Sequence, residues 1–188
     1  IRLSLVGSEM CIRDSYTSGD MSNAITAYDR AIELEPNNDL VYQNRANAYA
    51  QNDQIELAVE EYTYVIKLNS AAAEAYYNRG VVYYQNEQFD LALDDFTTII
   101  EKEMPNVVQA LNMRAITYSI GAKYYPALED LTTAIENAPD YAMSYNRRAI
   151  IYRVLGKTSA AIDDLHKYLE LETDEELIAE AEKLLSSW

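Results

Sequence analysis

Three pairs of neighbouring carboxylates, Glu60-Glu61, Asp94-Asp95 and Asp163-Asp164, come closest in this chain to a pattern that could do acid–base chemistry. A working acid and base must converge on one substrate atom. Neighbours on a helix instead diverge by about 100°, since a turn takes about 3.6 residues. The pairs also recur along the chain, and a site repeated in copy after copy is architecture. His166 is the single histidine and Cys11 the single cysteine. His166 stands among charged neighbours and reads as a surface residue. One of each cannot furnish a His- or Cys-ligated metal site, nor a Ser–His or Cys–His nucleophile. Five glycines form no phosphate-cradling loop. No catalytic, metal-binding or cofactor-binding residue is expected, and no cofactor.

A second spacing carries more. Arg45, Arg79, Arg114 and Arg148 each precede an acid by sixteen residues, namely Glu61, Asp95, Asp130 and Asp164. The spacing admits a basic ladder for an acidic ligand, or a repeated ion pair joining two helices. Recurrence in every copy favours the ion pair, with little charge left over. The net charge of −16 argues the same way. Phosphate recognition needs a basic stripe, so nucleic acid is not an expected partner. No apolar run reaches the length of a membrane span, so no membrane insertion by these residues is expected.

The elements that would position these residues repeat about every 34 residues. Tyr42-Gln43-Asn44-Arg45-Ala46 returns as Tyr76-Tyr77-Asn78-Arg79-Gly80, as Leu111-Asn112-Met113-Arg114-Ala115, and as Tyr145-Asn146-Arg147-Arg148-Ala149. Twelve residues after each small residue stands Ala58, Ala92, Ala127 or Ala161, and four further on Tyr62, Phe96, Leu131 or Leu165. Helical spacing and short breaks predict two antiparallel helices per copy. In one copy they fall near Ala73–Asn86 and Phe89–Lys102. Gly80 is expected at a close helix crossing, facing Ala92 and Ile99. Pro126 falls in a first helical turn, where its missing N–H is tolerated. One residue is inserted in the Glu103–Val107 turn. Thr173 and Glu176 read as a capping box, opening a last helix with one apolar stripe of Leu177, Ile178, Ala181, Leu184 and Leu185.

These residues resemble a tetratricopeptide repeat array; Tyr76, Gly80, Tyr83, Ala92, Phe96 and the delayed Pro105 carry the likeness best. It covers about residues 20–175. An Arg where Leu is usual and irregular prolines depart from the pattern. The resemblance implies an all-α fold, an α-solenoid of antiparallel helix pairs in a right-handed superhelix. The expected division is a partial repeat over 16–38, repeats over 39–72, 73–107, 108–141 and 142–173, and a capping helix over 174–188. It further implies a groove lined by the first helices. Its facing positions would be Gln43, Asn47 and Ala50, then Tyr77, Val81 and Tyr84, then Asn112, Ile116 and Ser119, then Asn146, Ile150 and Arg153.

The resemblance also implies a protein or peptide partner, bound without catalysis. Asn and Gln can hold a peptide backbone while Tyr and Ile supply apolar contact. Relatives that clamp acidic chaperone tails use two lysines, an arginine and two asparagines. Asn47 and Asn78 match the asparagines, but Gln43, Gln109 and Met113 stand where the cations belong, so that ligand is not expected here. The expected function is an interaction scaffold; the alternative is a regulatory or targeting region of a larger enzyme or envelope-assembly protein. Leu5–Asp14 resembles a translated sequencing adapter, and residues 1–15 are expected to be a non-native leader, which leaves the compartment open.

Overall fold

The computed structural model describes residues 21–187. The leader read into residues 1–15 lies outside them. Among the described residues are ten helices and no strand: α1 (Met21–Leu34), α2 (Asp39–Gln51), α3 (Ile55–Leu68), α4 (Ala73–Gln85), α5 (Phe89–Glu101), α6 (Val107–Ile120), α7 (Tyr124–Asn137), α8 (Ala142–Val154), α9 (Thr158–Leu171) and α10 (Glu175–Ser186). The fold is an all-α solenoid of helix pairs. Helices α4 and α5 lie where the spacing placed them. The chain divides into two units, Ile1–Ile99 and Ile100–Trp188.

In the first unit, Ala46, Ala58, Tyr62, Val65, Ala75 and Val82 form one core, with Tyr42, Tyr49 and Val59 packed against it. The small residues sit where two helices cross, so the large ones can fill the space beside them. Gly80 is buried, and the side chain it faces is Phe96. A Cβ added there would lie 2.7 Å from Phe96 Cε1. The ring four residues after Ala92 is thus the group nearest to the crossing. In the second unit, Ala115, Ala127, Leu128, Leu131 and Ile151 form one core. Tyr145, Ala149, Leu165, Tyr168 and Ala181 form another, with Leu184 and Leu185 of α10 packed on it.

The turn inside each helix pair is built one way. Asp53, Glu87, Ala122 and Gly156 adopt left-handed backbone, with φ of 58°, 59°, 55° and 73°. The next residue's N–H then reaches the carbonyl five residues back, as Gln54 to Tyr49, Gln88 to Tyr83, Lys123 to Tyr118 and Lys157 to Tyr152. This is the Schellman ending, which satisfies the last carbonyls of a helix and favours glycine at its left-handed position. Only Gly156 meets that preference. Ala122→Gly should therefore raise stability by about 1 kcal/mol, read as a higher urea midpoint at unchanged m. A fall in midpoint would show that the turn is not the source of strain. The insertion beyond Lys102 is taken up by two more left-handed residues, Glu103 at 48° and Asn106 at 69°.

The last helix is capped by Asp174, not Thr173. The Asp174 carboxylate accepts from Glu176 N–H at 2.9 Å and Leu177 N–H at 3.2 Å. Glu172 in turn accepts from the Thr173 and Asp174 N–H groups, which holds its carboxyl below the usual range. The aspartate is one residue closer to the free N–H groups, and its charge suits a helix N-terminus.

Candidate functional site

All four arginines reach the acid sixteen residues on. Arg45 meets Glu61 at 2.6 Å. The other three grip their aspartates with Nε and Nη2 together, at 2.9 and 2.7 Å for Arg79–Asp95 and Arg114–Asp130. For Arg148–Asp164 the distances are 2.7 and 2.8 Å. The guanidiniums are further enclosed by tyrosine rings on their own helices: Tyr42 and Tyr49 around Arg45, Tyr76 and Tyr83 around Arg79, Tyr145 and Tyr152 around Arg148. Arg45 also holds Asp29, while Arg79 and Arg148 donate to Thr63 and Thr132, all sixteen residues back. One guanidinium thus ties a helix to its partner and to the helix before it. The hydrogen bonds they donate to Asp130 and Asp164 raise Arg114 and Arg148 above the ordinary arginine value. Burial pushes Glu61 and Asp95 above the usual carboxylate range, against the pull of their arginines. These cations serve the scaffold, which leaves no basic ladder made of them.

The expected groove positions fall in both units and have different surroundings. In the first unit Gln43 is buried. Asn47 Oδ1 accepts from the Tyr62 hydroxyl and from Asn78 Nδ2 at 3.1 Å. Tyr77 packs on Phe96 with ring centroids 6.0 Å apart, and Tyr84 on Phe89 at 5.9 Å. Val81 is half-buried. These side chains are thus partly spent on holding neighbouring helices together.

In the second unit Asn112 is fully buried, its Nδ2 donating to Val108 O at 2.9 Å and Ser144 Oγ at 2.8 Å. Its Oδ1 has no partner. No face of that amide is offered to solvent. Ile116, Asn146 and Ile150, by contrast, line one pocket of about 500 Å³ together with Ser119, Tyr124, Met143, Arg147 and Val154. Ile150 is 47% exposed and Val154 57%. A smaller pocket of about 300 Å³ lies between α8 and α10, again lined by Asn146 and Ile150, with Leu177, Glu180 and Leu184 opposite. Arg153 is exposed but lines neither pocket.

Met143, Arg147 and Val154 were not singled out from the sequence. They stand three or four residues from Asn146 or Ile150, so the helical period of one face would have found them. Among the described residues no cluster of His, Cys, Asp and Glu could hold a metal ion. No described helix is long and apolar enough to cross a membrane.

Comparison with known proteins agrees with this architecture. Residues 15–53 match a TPR repeat family model and residues 44–116 a tetratricopeptide repeat model. No curated protein matches the sequence. Among solved structures, MamA is 22% identical with a TM-score of 0.73, covering 93% of this chain and 96% of its own. MamA of Desulfovibrio magneticus RS-1 is 17% identical with a TM-score of 0.75, covering 89% and 94%. PilF of Pseudomonas aeruginosa is 13% identical with a TM-score of 0.79, covering 99% and 89%. YrrB, described as a TPR protein with an unusual peptide-binding site, is 20% identical with a TM-score of 0.67, covering 92% and 88%. At such identities the likeness is one of fold. With the matched models spanning residues 15–116 and this fold beneath them, the chain belongs to the tetratricopeptide repeat proteins.

Proposed function

We propose that this protein is a non-catalytic interaction scaffold that binds a peptide segment on the inner face of its first helices, with the principal anchor in the second unit. The observation that carries this is the pocket of about 500 Å³ in which Ile116, Asn146 and Ile150 meet. Isoleucine and valine side chains half in water, around a concavity, mark an interaction surface more than an ordinary exterior. Asn146 supplies the donor and acceptor that an extended backbone needs. The description of YrrB as a peptide-binding TPR protein supports the same reading. The proposal includes the division into a partial repeat over 16–38, repeats over 39–72, 73–107, 108–141 and 142–173, and a cap over 174–188.

The test is selection of a phage-displayed random peptide library on the folded chain, followed by binding of the selected peptides to Ile150→Glu. A carboxylate there would have to be desolvated against apolar neighbours, and affinity should fall at least tenfold, or about 1.4 kcal/mol. Circular dichroism should show the variant still folded, because the side chain is about half in water. Selected peptides that bind wild type and variant alike would sink the proposal.

A further inference from the structure

The smaller pocket, between α8 and α10, has a lining unlike that of its neighbour. Asn146 and Ile150 line both, so the two concavities adjoin. Ile150, Leu177 and Leu184 give the smaller one apolar sides, and Tyr168 of α9 is buried beside them. Glu180 is the one charged side chain among the described residues that line it, and it is exposed. Burial pushes the Tyr168 hydroxyl above its ordinary value, and the charges of Glu172, Asp174 and Glu180 push it the same way. Negative charge thus gathers around this pocket. None of the cations on α8, α9 and α10 lines it. Arg148 is paired with Asp164, and Lys167 with Glu170. Arg147 lines the larger pocket and is engaged within the chain, while Arg153 and Lys183 line neither.

We infer that the pocket between α8 and α10 takes a lysine or arginine side chain of the bound segment, next to an aliphatic side chain held in the larger pocket. A long cationic side chain has an apolar stem and a charged end, the two parts that match this lining. Its methylenes lie along Ile150, Leu177 and Leu184, and its charged end meets Glu180. A neutral side chain there would strip water from the carboxylate and give no cation in return. The net charge of −16 draws a basic segment in and repels an acidic one. The same charge makes a second copy of the chain a poor occupant. Helix α10 is then a wall of the binding site as well as the end of the solenoid. The inference rests on the groove reading above and adds the side chain that sets selectivity.

Net charge alone attracts any cation, so stem length and charge have to be varied separately. Blocked peptides of serine and glycine around a Leu-Ser-Xaa core carry lysine, diaminobutyric acid or norleucine at Xaa. Diaminobutyric acid keeps the charge on a shorter stem, and norleucine keeps the stem without the charge. The serine spacer puts both side chains on one face of an extended chain. Fluorescence anisotropy at fixed salt should place lysine at least about fivefold above each of the others. Glu180→Gln should erase the lead of lysine over norleucine. Glu182→Gln, which removes the same charge from α10 outside both pockets, should leave that lead intact. Ile116→Ser, in the larger pocket, should weaken all three peptides. If binding depends on Ile116 but lysine gains nothing over diaminobutyric acid, or the two glutamine variants act alike, the attraction is general. The cationic pocket is then wrong and the groove stands. If no peptide binds in an Ile116-dependent way, the groove reading fails and this inference with it. A dimer that forms with rising concentration and is lost in Ile116→Ser would place a second copy in the groove and overturn the inference.

Discussion

Arg79→Met should cost about 3 kcal/mol of unfolding free energy, and adding Asp95→Leu to it should recover most of that loss. The Asp95 side chain is 6% exposed and the Arg79 side chain 15%. Removing the guanidinium therefore strands a buried carboxylate that has lost its bidentate partner. Removing both charges lets leucine and methionine fill a site already walled by Tyr76 and Tyr83. Burial of Asp95 outweighs the help it receives from Arg79, although Arg79 itself is held in its charged form, so the intact pair is expected to add little stability of its own.

The same shift fixes the pH dependence. A carboxyl whose folded value is raised holds its proton more firmly in the folded state, so stability is lost as pH rises from the unfolded value through the folded one. In Arg79→Met that value rises further. The deficit against wild type should accordingly shrink between about pH 7 and about pH 5, as Asp95 takes up a proton. Urea titrations of the two single variants and the double variant at both pH values form the measurement. Additive losses in the cycle, or a deficit that grows on acidification, would remove the ion pair from this account.

How far the sequence could be read depended on whether a feature repeats. The arginines and their acids recur at one spacing in four copies, and that regularity led directly to the contacts. Helix bounds near Gly80 followed from the same period. What does not repeat was harder. Asp174 rather than Thr173 caps the last helix, since two adjacent residues with suitable oxygens differ only in which one the chain turns at. Asn112 and Asn146 hold the same place in their copies. Yet Asn112 is turned inward on Ser144, while Asn146 stands at the mouth of the pocket. That difference is made by the small side chain on the next first helix, which spacing within one helix does not register.

Gly80→Ala should destabilise the chain by about 2 kcal/mol, although alanine is the better helix former by about 1 kcal/mol. The propensity gain is smaller than the cost of the clash, because the new methyl would stand 2.7 Å from a Phe96 ring that is itself wholly buried. Closely packed cores respond to an added methyl by forcing a side chain off its rotamer or by moving a backbone. The other copies show which relief is available. Ala115 is matched with Leu131 and Ala149 with Leu165, all four at 0% exposure, whereas Ala46 is matched with Tyr62, so a leucine opposite is one of two ways in which the copies accommodate alanine at the crossing. Phe96→Leu alone should cost about 1–2 kcal/mol through the space it leaves beside Gly80. Combined with Gly80→Ala, the methyl fills that space, and the double variant should be more stable than the sum of the two losses by about 1–3 kcal/mol. Thermal and urea unfolding of the four proteins measures this coupling. A coupling near zero would mean that the glycine is kept for backbone approach between the helices and not to make room for the ring.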